Sequence, residues 1–247
     1  ITAFNDSDER SITFLAGVYR DGKKLYEIIT KSIRTRLLKA DIKNRRVLLK
    51  PNWVNHSTKS DDELCLRTND NFVITVLKII LEMEPSSVVI GDAPIQGCQW
   101  NKMISYYLIN QANDLSKKHK IPIYLKDFRR RTFNLSENSV VQNLRPTSDY
   151  LIFDLESSSY LEPITTAGKT KFRVTNYDPD RMIDAHGPGF HKYCITKDFF
   201  EADIVISLPK IKTHQKTGIT GALKNIVGIN GDKDFLPHHR IGGTKRG

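Results

Sequence analysis

The sequence predicts an α/β protein, built on a mostly parallel sheet with helices on both faces. Three observations predict it. The runs "RRVLLKPNWV", "SSVVIGDAP" and "DIVISLPK" are short and continuously apolar, as strands buried on both sides are. The segments between them carry apolar residues three and four apart, the helical period. Each apolar run also ends in polar residues, as strands do where a parallel sheet opens onto a ligand crevice.

The elements follow in order. "SITFLAGVYR" (11–20) has the β-branched and aromatic composition of a strand. In 22–42, Leu25, Ile28, Ile29, Ile33 and Leu37 predict a helix. The run 45–54 predicts a buried strand ended by Pro51. Residues 69–84 predict a helix capped by Asn69 or Asp70, with Phe72, Val73, Val76, Leu77, Ile80 and Leu81 inside. Strands are predicted at 86–94 and 121–128, with one helix between them over 99–120. From about 129 to 195 the α/β rhythm stops, and "TFNLSENSV", "YLIFDLESSSYLEPI" and "KFRVTNYDPDRMI" read as an irregular, β-rich insert. "KDFFEA" then gives a helical turn and 203–210 a buried strand. The organisation expected is one α/β domain over 1–247 with that insert. The final "GGTKRG" has no terminating element, so further chain is expected to be absent from view.

Composition narrows the function classes. A chain of 247 residues is long enough for a substantial core. No apolar run approaches the roughly 20 residues of a membrane helix, and "ITAFNDSDER" is no signal peptide. Three scattered cysteines without CxxC give no zinc ribbon and no cysteine-ligated iron–sulfur cluster, and fit a reducing, cytoplasmic setting. The net charge of +10 makes nucleic acid one candidate partner. Much of that charge lies on amphipathic helices, however, and no ribonucleoprotein-type aromatic motif appears. A small anionic ligand needs only a local cluster of cations.

Such a cluster stands in "SLPKIKTHQKTGITGALKNIVGINGDKDFLPHH", 207–239. Lys210 and Lys212 alternate around Ile211, so both can face one side while Ile211 anchors the other. Thr217 is a fair N-cap for a helix over about 218–228, with Ala222, Leu223, Ile226 and Val227 as its inner face. Gly218 and Gly221 in its first turn would admit a ligand to free backbone N–H groups. Lys210, Lys212, Lys216 and Lys224 would add charge there, although no Walker loop is present. His214, His238 and His239, three of the seven histidines, supply proton-transfer or metal-ligating chemistry. His186 and His191, in the Gly-Pro loop "DAHGPGFH", carry a weaker signal. At the other strand ends stand Lys50 and Asn52, and Asp92. If the strands are parallel neighbours, all these tips converge.

"LLKPNW", "VVIGDAP" with "IQGC", and "LPKIKTHQKTGITGALKNIVGINGDK" strongly resemble the bacterial family catalogued as domain of unknown function 362, over roughly 46–100 and 200–247. Some members carry ferredoxin-like cluster domains, whose cysteines this chain lacks. A more distant similarity is to the catalytic domain of nickel-dependent lactate racemase. There a His precedes a Lys by ten residues with Gly between, as His214 precedes Lys224 here with Gly218 and Gly221 between them. That resemblance implies His214 as a proton-transfer residue, Lys224 as the holder of a nickel-pincer nucleotide, and His238 or His239 as a nickel ligand. Asn225 and Ile226 depart from the racemase's "RKS" string, and its second proton-transfer histidine has no counterpart.

The leading expectation is an acid–base enzyme, isomerase- or racemase-like or otherwise, acting on a small carboxylate or phosphate. His214, Lys224 and Asp92 would be catalytic. Lys50, Asn52, Lys210, Lys212, Gly218 and Gly221 would bind substrate, and Asp92 and Asn52 would orient it or a metal. The alternatives are a protein binding a divalent metal or metallo-cofactor through His214, His238 and His239, and a non-catalytic binder of nucleic acid or another anionic polymer.

Overall fold

The computed structural model describes residues 12–56, 62–134, 139–165, 172–173, 179–214 and 217–241. Two helices come first, α1 (Ile12–Arg20) and α2 (Gly22–Lys39). The segment expected as a first strand is therefore a helix. Leu15, Val18 and Tyr19 are spaced three and four apart, and Val18 and Tyr19 pack against the core, so the helical period outweighed a strand-like composition. Asp21 caps α2 by accepting from the backbone N–H groups of Lys23 and Lys24.

The α/β rhythm follows: β1 (Arg46–Pro51), the short α3 (Asp62–Cys65), α4 (Asp70–Leu81), β2 (Ser87–Asp92), α5 (Trp100–Met103), α6 (Tyr106–His119) and β3 (Ile123–Asp127). Asn69 caps α4. The single helix expected over 99–120 is two, because Ile104 is extended and Ser105 caps α6, accepting from Leu108 N–H at 3.0 Å. The Ser105 hydroxyl also donates to Asp70 Oδ2 at 2.7 Å, tying α6 to the start of α4.

The insert is antiparallel, as expected. It comprises the hairpin β4 (Arg131–Asn134) and β5 (Ser139–Asn143), then β6 (Tyr150–Asp154), β7 (Phe172–Arg173), β8 (His186–Gly187) and β9 (Phe190–Thr196). β6, β9 and β8 form one sheet. Then come α7 (Lys197–Glu201), β10 (Ile204–Leu208), β11 (Lys212–His214), β12 (Gly218–Thr220), α8 (Ala222–Asn225) and β13 (His239–Arg240), the last pairing with β7.

The main sheet is all parallel, in the order β10-β1-β2-β3. The large core lies on one face, where Val47, Leu49, Val88 and Ile90 meet apolar residues of α2, α4 and α6. On the other face Leu48, Ala93 and Phe128 form a smaller cluster with Phe199 of α7 and Val205. Alternating strand residues thus feed two unequal layers. Because β1 is flanked by β2 and β10, the carboxyl ends of three strands open side by side. Among the described residues, no helix is long and apolar enough to cross a membrane.

Candidate functional site

Beyond those strand ends lies a cavity of about 320 Å³. Its floor begins with Lys50, which is fully buried. Lys50 Nζ donates to Asp92 Oδ1 (2.6 Å), Pro51 O (2.8 Å) and Asn225 Oδ1 (3.3 Å). An ammonium has three protons, and all three are used. Asp92 accepts from Trp53 N–H at 2.5 Å and Ala93 N–H at 2.8 Å besides Lys50. Burial pushes the Asp92 carboxyl up and the Lys50 ammonium down from their ordinary values, and their mutual attraction opposes both shifts. Three donors on one side and three acceptors on the other are the pattern of a charged pair.

Asn225 completes the floor. Its Nδ2 donates to Lys50 O (2.7 Å) and Ser207 Oγ (3.0 Å), so one amide fastens the ends of β1 and β10 together. Gly228 makes this packing feasible. A Cβ there would overlap the Asp92 carboxylate and stand 2.6 Å from Lys50 Nζ. Its carbonyl accepts from Ala93 N–H at 2.9 Å.

The walls carry further charges. Lys212 Nζ donates to Asn52 Oδ1 at 2.9 Å and to the Leu66 carbonyl. Burial first, and then Lys210 and Lys224, lower the Lys212 ammonium to about 8. Lys224 lines the cavity half-buried, and burial lowers it too. Lys233 is buried, donates to Ala93 O (3.1 Å) and Asn230 O (3.3 Å), and is lowered by burial to about 8. His214, two residues from Lys212 on β11, shares its side of the strand. Thr217 N–H donates to His214 Nδ1 at 3.3 Å, so the neutral ring carries its proton on Nε2 and presents a donor there. The His238 ring stands edge-on to His214, with centroids 6.1 Å apart. Three further residues of the lining, Trp53, Gln96 and Thr220, are buried with Trp53 Nε1, Gln96 Oε1 and Thr220 Oγ1 lacking a hydrogen-bond partner. Unsatisfied buried polar atoms gathered around one cavity are what a polar ligand would satisfy.

Of the residues named from sequence, Asn52, Asp92, Lys212, His214, Lys224 and His238 line this cavity. The others are placed differently. Lys50 lies beneath Asp92 with every proton engaged, and so supports the site from below. Lys210 is outside the cavity lining, its Nζ over the Tyr19 ring, 5.9 Å from the centroid. Ile211 is exposed and anchors nothing. Lys216 lies outside the described residues. His239 belongs to β13, opposite Arg173, and is outside the cavity lining.

The helix expected over 218–228 is also absent as such. β12 pairs with β11, setting His214 opposite Gly218 and Thr213 opposite Ile219. Gly218 has φ +71, and its role is this turn. The helix shrinks to α8 and a single 3₁₀ turn over Ile226–Ile229. Thr217 is no N-cap, since its hydroxyl donates to Ile219 O at 3.1 Å. The expected inner face is reversed: Leu223 is exposed, while Asn225 and Ile229 are buried. Gly221 is the N-cap of α8, which is only one turn long. Among the described residues, no group of three or more His, Cys, Asp or Glu is placed to hold a metal ion.

Sequence reasoning missed Lys233, Asn225 and the orphaned trio of Trp53, Gln96 and Thr220. His186 and His191, which carry only a weaker signal in the sequence, form a pair. Both are buried, 3.2 Å apart through their Nδ1 atoms, with His186 Nε2 3.1 Å from Phe235 O and His191 Nε2 3.0 Å from Glu162. Burial lowers His186 to about 4. Through Phe235 this pair holds the turn that delivers Lys233 and Leu236 to the cavity.

A family model described as Domain of unknown function (DUF362) matches residues 156–245. The matched span includes the cavity's Lys212, His214, Lys224, Asn225, Gly228 and Lys233, and stops short of Asn52 and Asp92. No curated protein and no solved structure matches the chain.

Proposed function

We propose that the cavity binds a small anion, a carboxylate or a phosphate, and that the protein is an enzyme using His214 and the surrounding lysines for acid–base and electrostatic catalysis. One observation carries the proposal. Lys212, Lys224 and Lys233 share a lining in which, among the described residues, the single acid, Asp92, is already paired with Lys50. The cavity is therefore left with uncompensated positive charge, which an anion neutralises. Lys212 and Lys224 would hold the anion and Lys233 would meet it from below. The donor Nε2 of His214 would give a proton to, or polarise, a substrate oxygen. Asn52 would orient the substrate through the atom that now engages Lys212.

The racemase-like form of this proposal is narrower. Its support is that His214 and Lys224 line one cavity. The nickel site it requires fits less well. His238 and His214 share the cavity, but His239 does not, and no third donor joins them among the described residues. We derive no step through a metal.

Isothermal titration with inorganic phosphate and a panel of hydroxy acids and sugar phosphates tests the proposal. Binding to the wild type, weakened at least tenfold in Lys212→Met/Lys224→Met with the fold unchanged, is the expected result. Equal affinities in the two proteins would remove it.

A further inference from the structure

A second hollow of about 630 Å³ opens beside the cavity. Its walls are Ile219, Leu223, Val227, Leu236 and Pro237, with Lys224 and His238 among its lining. Lys224, Val227, Leu236 and His238 line both hollows, so the two adjoin, with a cation and an imidazole at their shared edge. The apolar side chains there are not core. Leu223 is 91% exposed and Ile219 64% exposed. Scattered exposed apolar residues need no explanation, but a cluster rimming a polar cavity does. The backbone presents it deliberately. The β11–β12 hairpin lifts Ile219 out, and α8 turns Leu223 outward while burying Asn225 in the floor.

We propose that the ligand is amphiphilic: an anion whose charged head enters the inner cavity and whose apolar chain lies along the outer groove. The inference rests on the anion reading above and specifies its substrate class. Charge complementarity fixes the head at Lys212, Lys224 and Lys233. The shared edge at Lys224 and His238 is where the remainder of the molecule would pass from one hollow to the other. The walls met there favour hydrocarbon.

The test is titration of the full chain with butanoate, octanoate, octan-1-ol and inorganic phosphate, alongside gel filtration. Each methylene buried strengthens binding by about threefold to fourfold. Octanoate should therefore bind at least tenfold tighter than butanoate, and octan-1-ol more weakly than octanoate. In Ile219→Ser/Leu223→Ser the octanoate-to-butanoate ratio should fall below about threefold, and that ratio is the readout. Two results would overturn the proposal while leaving the anion site standing. One is equal affinity for butanoate and octanoate in the wild type; the other is octan-1-ol binding as tightly as octanoate while inorganic phosphate still binds. A dimer that dissociates on Leu223→Ser, with no chain-length effect, would overturn it too and assign the groove to a second copy of this chain. Failure of every anion to bind would remove the anion reading itself.

Discussion

The floor and the walls of the cavity use the same residue types to opposite ends. On the floor, Lys50, Asp92 and Asn225 are buried and their polar atoms meet one another and the backbone within hydrogen-bonding distance. On the walls, Lys212, Lys224 and His214 are only partly buried, and among the described residues of the lining the positive charge is not matched by acids. A lysine whose three protons are all engaged cannot release one to a ligand without breaking the fold. A lysine held by one amide and one carbonyl can. The difference separates residues that build the site from residues that serve it, and it moves Lys50 from the second group to the first.

Breaking the floor should therefore cost stability. Asp92→Ala leaves a buried ammonium without its partner, and loss of one partner of a buried pair costs about 3–5 kcal/mol. Chemical denaturation should show this, with Lys50→Met/Asp92→Ala recovering part of the loss because the orphaned charge is removed as well. Gly228→Ala should act through the same pair by steric displacement, at about 1–3 kcal/mol. A protein that tolerates Asp92→Ala without loss would mean that the two regions do not differ as described.

The walls should behave in the converse way. Lys212→Met and Lys224→Met should leave stability within about 1 kcal/mol of the wild type. Each should weaken phosphate or carboxylate binding about tenfold to a hundredfold, the worth of one hydrogen bond to a charged group. Lys210→Met should weaken affinity less than about threefold, because Lys210 lies over Tyr19 outside the cavity lining. That variant sharpens the comparison, since sequence alone gave Lys210 and Lys212 the same role.

The strand ends were legible in sequence because a buried parallel strand is a local pattern: "RVLLKP" and "SVVIGD" are continuous apolar runs whatever surrounds them. Their convergence followed from parallel order alone. The 218–228 segment misled because Ala222, Leu223, Ile226 and Val227 satisfy the helical period while the decisive interaction is a cross-strand pairing. Pairing of Thr213 with Ile219 fixes a hairpin, and no window of periodicity contains that information. Lys233 was illegible for a related reason. Within "GDKD" a lysine reads as solvated, and its buried place depends on the distant Ala93 carbonyl as well as the nearby Asn230 carbonyl. The glycines at 228 and 231 were visible in the sequence but without a reason. The Asp92 carboxylate and the Tyr150 ring supply it.

Proton concentration offers the finest separation of the two regions. Burial lowers Lys212 and Lys233 from 10.5 to about 8. Below pH 8 both are charged in the folded chain, as they are when unfolded. Between pH 8 and 10.5 the folded chain has released protons that the unfolded chain retains, so these lysines make stability rise with pH. An anion that needs those charges should bind less tightly over the same interval, by up to about tenfold per pH unit for each lysine required. Affinity and stability should thus move in opposite directions above pH 8. Titration calorimetry and thermal melts of the wild type, each compared with Lys212→Met, would measure both. Melting temperatures whose difference from the variant does not grow above pH 8, with an affinity that does not fall, would place the charge of Lys212 outside the site's chemistry.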